Sequence, residues 1–411
     1  MKHDPTLLRR MPVSLQHIST SLDLGGAQAM LLKLIGTDPC VAPPLRHSIV
    51  SLVEPGVLAP SDEQSQCPIY SLNMRRALPN PAALVRLLRI TGRQRPDLIQ
   101  GWMYHGNVAA SLAGLSQGRA APVLWNVRHS LADPKLENRS TRALLALSAR
   151  LSRTTAAIIY NSHASARQHE AIGFDSRRSA YVPNGFDSRR YRPDPAKRDY
   201  LRSSFDISGD GLVVAMVARH HPMKDHAMLV DAVGRARAMG HDLHLLMVGT
   251  GLDTPPPPLA RMIAALLPPD RVTLVGERHD VADWLPGVDI LALSSAWGEA
   301  FPNILGEGMM CGLPCVSTDV GDSALVLGGS GTIVPPRDAA AMAGALARLA
   351  HDGSAARANR GAAARAHAVE HYELEQVARQ YHRLYTEILA GIWSRPDSAA
   401  RPGPNSAAHA A

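Results

Sequence analysis

Short runs of Val, Ile and Leu alternate along this chain with longer segments whose apolar residues return every three to four positions. Side chains repeat every two residues in a strand and about every 3.6 in a helix, so the first pattern reads as buried strand and the second as amphipathic helix. In the front half, strands are predicted at "VSLQHIS" (13–19), "HSIVSLV" (47–53), "PIYSLN" (68–73), "DLIQGWM" (97–103), "PVLWNV" (122–127), "AAIIYN" (156–161) and "AYVPN" (180–184). Helix-length segments such as "GAQAMLLKLI" and "NPAALVRLLRITG" lie between them. The pattern restarts after a Pro-, Asp- and Arg-rich passage beginning "NGFDSRRYRPD", with strands at "LVVAMVA" (212–218), "LHLLMVG" (243–249), "RVTLVG" (271–276), "DILALSS" (289–295), "PCVSTD" (314–319) and "TIVPP" (332–336). Nearly all-apolar strands separated by helices are parallel strands covered on both faces. The expected fold class is therefore α/β, with two Rossmann-like doubly wound domains.

A length of 411 residues agrees with two cores rather than one. The boundaries expected are residues 1–185 and 186–372 for the two domains. Residues 373–393 form a C-terminal helix with apolar residues at helical spacing, expected to pack back on the N-terminal domain, and 394–411 have the composition of a disordered tail.

Composition narrows the function classes. No apolar run approaches the ~18 residues of a membrane span, and "MKHDPTLLRRMPVSLQHIS" lacks the apolar core of a secretion signal, so a cytoplasmic protein is expected. Cys40, Cys67, Cys311 and Cys315 are too scattered for a disulfide scaffold and read as buried apolar residues. Residues 1–185 hold 21 Lys+Arg against 11 Asp+Glu, whereas the remainder holds 22 against 25. The basic excess sits in front, at Arg75, Arg76, Arg86, Arg89, Arg93 and Arg95 and again at Lys135, Arg139, Arg142, Arg150 and Arg153. Such stretches are either solvated helix faces or a docking surface for anionic lipid at the inner face of a membrane. Aromatic residues at 4% and no recognisable binding signature argue against nucleic acid.

In open parallel sheets, ligands bind beyond the carboxyl ends of the strands. After "LVVAMVA" come Arg219 and then Lys224, read as opening the helix "KDHAMLVDAV". A guanidinium and an ammonium at a helix mouth suit a diphosphate, and two surface cations paired with carboxylates are the alternative. After "DILALSS" comes "AWGEAFPNILGEG", with Glu299 and Glu307 separated by seven residues. Pro302 suits the first turn of a helix, since it has no N–H to leave unsatisfied. Amides of Phe301 and Asn303 then point from that helix end, and Glu307 sits near its middle. The two acids are staged along one extended ligand: Glu307 suits a ribose and Glu299 a sugar, because carboxylates accept paired hydrogen bonds from vicinal hydroxyls. Either could instead cap a helix or pair with a cation.

The segment "ALSSAWGEAFPNILGEGMMCGLPCVSTDVGD" resembles the signature of the group 1 (family 4) retaining glycosyltransferases of GT-B architecture, two Rossmann-like domains facing across a cleft. Glu299 and Glu307 match that family's Glu-x7-Glu element, "VARHHPMKD" its Arg…Lys phosphate element and "VPNGFD" its interdomain segment. The likeness spans roughly residues 12 to 390 and is strongest over 212–340. It implies that Arg219 and Lys224 hold the donor diphosphate, Glu307 the ribose, Glu299 the sugar, and the backbone of Phe301, Pro302 and Asn303 the sugar and phosphate. "GER" (Gly276, Glu277, Arg278) lies where the family seats its nucleobase. In front, Gly25 and Gly26 would let backbone amides approach an anion, and a plain tight turn is the alternative. The family often carries Glu where Gln28 stands. His105 and Asn107 past one strand and Arg128 and His129 past another are expected to face the ligand cleft, His129 matching a family histidine near the donor sugar, and Asn161 and Ser162 read as helix caps.

The activity implied is transfer of a sugar from a nucleotide diphosphate donor, UDP- or GDP-linked, to a hydroxyl of a glycan or lipid-linked acceptor with retention, in polysaccharide or glycolipid assembly. No cofactor is expected. The chain contains no Asp-x-Asp, so Arg and Lys rather than a metal are expected to balance phosphate charge. A nucleotide-sugar epimerase or a non-catalytic binder of the same fold are the rival readings. A nicotinamide oxidoreductase is disfavoured, because no Gly-x-Gly-x-x-Gly follows either first strand.

Overall fold

The computed structural model describes residues 12–23, 25–37, 42–54, 56, 67–74, 80–118, 120–131 and 137–394. Cys40, Arg75, Arg76, Lys135 and the tail expected beyond residue 394 lie outside the described residues. The chain divides into two compact units, the first running to Gly185 and resuming at Leu374, the second spanning Phe186–Glu373.

The first unit carries a seven-stranded sheet: β1 (Val13–Ser19), β2 (Leu45–Ser51), β3 (Ile69–Ser71), β4 (Leu98–Trp102), β5 (Val123–Val127), β6 (Ala157–Tyr160) and β7 (Ser179–Tyr181). Their spatial order is β3-β2-β1-β4-β5-β6-β7, every neighbour parallel. Its helices are α1 (Gly26–Ile35), α2 (Pro81–Gln94), α3 (Met103–Ser116), α4 (Arg139–Leu151) and α5 (His163–Ala171). The second unit repeats the plan with β8 (Leu212–Val217), β9 (Leu243–Val248), β10 (Val272–Val275), β11 (Ile290–Leu293), β12 (Cys315–Thr318) and β13 (Thr332–Val334), ordered β10-β9-β8-β11-β12-β13 and again parallel. Its helices are α6 (Lys197–Ser204), α7 (His226–Ala238), α8 (Pro257–Leu266), α9 (Val281–Trp284), α10 (Asn303–Met310), α11 (Ser323–Leu327), α12 (Ala339–His351) and α13 (Gly353–Tyr372).

All thirteen strands overlap the expected runs, most trimmed by a residue or two, while β2 lies two residues earlier than its run and β7 begins one residue earlier. "AYVPN" ends at Tyr181 because Pro183 has no N–H to continue the ladder. In each sheet the chain winds outward in one direction, then returns to the middle and winds the other way. The reversals fall between β1 and β4 and between β8 and β11. Loops leave such a switch point in opposite directions, which opens a crevice at the carboxyl edge.

The last helix, α14 (Leu374–Leu389), belongs to the first unit. Its Val377, Tyr381, Leu384, Tyr385 and Ile388 recur at helical spacing and join the core that holds Leu15, Leu98, Leu124 and Ile159. Tyr385 donates to Gln100 at 2.6 Å, and the Tyr381 hydroxyl accepts from Asn126 at 2.8 Å. In the second unit α13 crosses the end of α10 so closely that a Cβ on Gly361 would stand 1.8 Å from the Gly312 carbonyl oxygen. Only glycine permits that approach.

Cys67, Cys311 and Cys315 are buried, and burial pushes the Cys315 thiol up to about 12, as apolar packing residues require. No helix among the described residues is long and apolar enough to cross a membrane.

Candidate functional site

β8 and β11 are adjacent at the switch point of the second unit, and the loops that follow them interlock. Ala296 N–H donates to the Met223 carbonyl at 2.8 Å, and Gly298, at φ 80°, lies against the Met223 side chain. A left-handed backbone there carries the chain over Met223 and brings Glu299 back across Lys224. Lys224 Nζ and Glu299 Oε1 are 2.5 Å apart, with Glu299 only 7% exposed. The Ser295 hydroxyl donates to the same oxygen at 2.6 Å.

Arg219 follows β8 by two residues, is exposed and enters no ion pair among the described residues. Burial first, and then the charges of Arg219, His220 and Lys224, depress the His221 imidazole. Both cations thus act on one side chain in this loop. Lys224 itself closes a 3-10 turn over Pro222–Lys224 rather than opening α7. Asp225, in a left-handed conformation at φ 47° and ψ 53°, separates the two and caps α7 by accepting from Met228 N–H at 3.2 Å. The interruption lets the ammonium swing toward Glu299 instead of following the helix axis.

Pro302 likewise stands one position outside its helix. It is the N-cap of α10, with ψ 107°, and Asn303 is the first helical residue. An N-cap needs an extended ψ, which proline accepts as readily as it accepts the first turn. The Phe301 ring is buried between Phe186, 6.2 Å away, and Tyr372, 5.3 Å away, so only its backbone is available to a ligand. Glu307 is the fifth residue of α10 and half-buried. Burial and then the Glu307 charge raise both the Tyr191 hydroxyl and the Cys311 thiol, which places that carboxylate beside them.

Past β10, Glu277 is exposed and accepts from Thr250 at 3.0 Å. Arg278 is committed locally: Nε donates to Asp280 at 2.8 Å, and the guanidinium lies 5.5 Å over the Phe205 ring.

In the first unit, Gly25 is the N-cap of α1 at φ 174°, an extended conformation open to any residue, and Gly26 begins the helix. His105 and His129, both exposed, follow β4 and β5; the His129 ring is 6.3 Å from Tyr104. Asn107, read from sequence as facing a ligand, is instead buried. Its side-chain oxygen accepts from Asn126 N–H at 3.2 Å and its amide donates to the Asn126 carbonyl at 3.4 Å, bracketing α3 to β5. Arg128 donates to Asn126 at 3.0 Å and also to Asn184 and the Tyr381 hydroxyl, beneath the Trp102 ring. Ser162 caps α5, accepting from Ser165 N–H at 3.1 Å. Among the described residues no three His, Cys, Asp or Glu side chains gather as metal ligands.

Sequence reasoning missed Ser294 and Ser295, which it counted only as the end of a strand, and Tyr191. Two hydroxyls in succession at the carboxyl end of an apolar strand were the available signal.

Comparison with known proteins gives two family matches, "Glycosyltransferase Family 4" over residues 49–190 and "Glycosyl transferases group 1" over 211–352. The chain belongs to the group 1/family 4 glycosyltransferases of GT-B fold. It is similar to a D-inositol 3-phosphate glycosyltransferase of Geodermatophilus obscurus, 31% identical over 228 residues, or 50% of this chain and 48% of that one. It is also similar to an N-acetyl-alpha-D-glucosaminyl L-malate synthase of Bacillus anthracis, 29% identical over 212 residues, 51% and 53% of the two chains. The chain spans about half the length of the curated relatives it matches. The solved structure of Anabaena HepE with UDP and glucose superposes at TM-score 0.76 and 20% identity, covering 90% of this chain and 99% of that one, a likeness of fold.

Proposed function

We propose that the protein transfers a sugar from a nucleotide diphosphate donor to a hydroxyl acceptor. The observation that carries this reading is the meeting of Lys224 and Glu299, with Arg219 in the same loop, at the β8–β11 switch point. As the glycosidic bond breaks, the departing diphosphate gains negative charge; Lys224, already held by Glu299, and Arg219 in the same loop stabilise that charge. Glu299 accepts from sugar hydroxyls, Glu307 from the ribose, and the amides at the start of α10 reach the phosphate or sugar. On the first unit, His129 and the backbone of Gly25 and Gly26 are the groups assigned to substrate. Phosphate charge balanced by Arg219 and Lys224 makes the reaction independent of a divalent metal, and family membership supports retention of configuration.

The HepE complex named for UDP and glucose supports a UDP-sugar donor, with a GDP-sugar as the alternative, and the relatives named for D-inositol 3-phosphate and L-malate support a hydroxyl acceptor. A thermal-shift panel of UDP-, GDP- and ADP-sugars should give a shift confined to one base, because only a ligand of the native state raises the midpoint in proportion to log occupancy. No shift with any member would overturn the reading. Formation of a new sugar isomer from donor alone would make the protein an epimerase instead.

The acceptor side carries a second feature. α2 contains no acidic residue, and Arg86, Arg89 and Arg93 share its exposed surface with Leu84 (40% exposed) and Val85 (53%). None of these arginines pairs with a carboxylate among the described residues. A cationic, apolar-studded helix face suits an anionic bilayer, each arginine contributing about 1 kcal/mol near the surface. This supports a lipid-linked acceptor and peripheral attachment at the inner membrane face. The protein should float with vesicles containing phosphatidylglycerol and stay behind with pure phosphatidylcholine; Arg86→Glu/Arg89→Glu should abolish flotation. Equal recovery with both vesicles would remove the membrane from the proposal.

A further inference from the structure

Ser294 and Ser295 are both fully buried, immediately past β11, and their hydroxyls point to different partners. The single Ser294 O–H is shared between two successive carbonyls, those of Lys224 at 2.9 Å and Asp225 at 3.1 Å. Ser295 Oγ donates to Glu299 Oε1 at 2.6 Å, while the Ser295 carbonyl accepts from Thr318 Oγ1 on β12 at 2.6 Å. One serine therefore holds the backbone that carries the lysine, and the next holds the carboxylate that the lysine meets. We infer that Ser295 is a positioning residue for Glu299, with Ser294 as its counterpart for Lys224. This rests on the reading of Lys224 and Glu299 as donor-handling residues.

The geometry specifies how the positioning works. Glu299 Oε1 accepts from both Lys224 Nζ and Ser295 Oγ, which uses its two lone-pair directions. Oε2 carries no hydrogen bond to a described residue and is not sealed from solvent. It is the oxygen left to accept from a sugar hydroxyl. The ammonium has three N–H donors and spends one on Oε1, so two stay available for diphosphate. A carboxylate held by the ammonium alone would turn about its last torsion and offer either oxygen. The Ser295 hydroxyl removes that freedom, and Thr318 fixes Ser295 from the neighbouring strand.

The test uses the full chain with UDP-glucose and GDP-mannose assayed in parallel. Ser295→Ala should lower kcat by at least tenfold while leaving the Kd of UDP and GDP within twofold, because the diphosphate contacts survive. Ser295→Thr, which restores the hydroxyl, should recover kcat to within threefold. Ser294→Ala should act on the other partner and weaken nucleotide binding. Wild-type kcat in Ser295→Ala, a matching loss of nucleotide affinity, or no recovery with threonine would overturn the inference. Wild-type turnover in Glu299→Gln would instead sink the underlying reading of the site. A donor-free measurement stands beside these: acetylation of Lys224 by acetic anhydride, followed by peptide mass spectrometry, should run at least threefold faster in Ser295→Ala. An unchanged rate would likewise overturn the positioning role.

Discussion

Arg219→Ala combined with Lys224→Gln should lower kcat/KM for the nucleotide-sugar by about 10²- to 10⁴-fold. Each charge-assisted hydrogen bond to phosphate contributes about 1.5 to 3 kcal/mol, and both are lost together. The choice of glutamine matters. Lys224 neutralises a Glu299 carboxylate that is only 7% exposed, and removing one partner of a buried pair costs about 3 to 5 kcal/mol. Alanine there would leave Glu299 with neither charge nor donor, whereas glutamine, one atom shorter than lysine, removes the charge and keeps an N–H donor on that side. Arg219 has no such partner among the described residues, so Arg219→Ala alone should leave the melting temperature within about 2 °C, as surface changes away from packed features usually do. Steady-state kinetics of the single and double variants would separate the contributions. A double variant within tenfold of wild type would mean that these cations do not face the diphosphate.

The second large effect concerns stability in mild acid. His169 is buried in the first unit with Nε2 2.7 Å from the Tyr104 hydroxyl and Nδ1 2.7 Å from the Ser165 carbonyl, which requires Nδ1–H and, in the neutral ring, leaves Nε2 to accept from Tyr104. His17 accepts from Trp102 Nε1–H through Nδ1 at 3.1 Å, so its Nε2–H must donate to His47 Nδ1 at 3.0 Å. A proton added to His17 would meet the tryptophan N–H. In the second unit His226 and His244 are also buried. Burial depresses His47, His169, His226 and His244 from 6.5 to about 4, and depresses His17 as well.

The sign follows from linkage. Below 6.5 the unfolded chain takes up protons that the native chain refuses, so stability is full above that pH and is lost progressively between 6.5 and about 4. At pH 5 each of His169, His226 and His244 accounts for roughly 2 kcal/mol of the loss. One of these terms falls on the first unit and two on the second, so they remove roughly 2 and roughly 4 kcal/mol, a large fraction of the stability of an ordinary domain. Unfolding by urea should therefore show a steep fall in midpoint from pH 7 to pH 5, in both units. A midpoint unchanged over that range would mean that these histidines titrate normally in the native state.

How much of this was readable beforehand depended on which physical signal each residue carries. Strands such as "LVVAMVA" and "LHLLMVG" are buried on both faces, so their composition alone marks them. The C-terminal helix was equally legible, because Val377, Tyr381, Leu384 and Ile388 keep helical spacing. Glu299 and Glu307 stood out since acids rarely flank an apolar helix start without a ligand or partner. Lys224 was placed on the helix because nothing in "HHPMKDH" announces that Asp225 adopts a left-handed backbone; aspartate does so only when its surroundings require it. Asn107 looked like a ligand contact because it follows a strand, yet its amide satisfies the backbone of a neighbouring strand, a partner that only the folded sheet supplies. Ser294 and Ser295 were missed for the same reason: the carbonyls and carboxylate they hold are 4 to about 70 residues away in the chain.

The most direct measurement is calorimetric titration of UDP and GDP, each beside its nucleoside, into the wild type and the Arg219→Ala/Lys224→Gln variant. Anion recognition at the β8–β11 switch predicts that the diphosphate of the preferred nucleotide strengthens wild-type binding by at least about 100-fold and that the variant loses that advantage. A variant that still prefers the diphosphate by the wild-type margin would contradict the account.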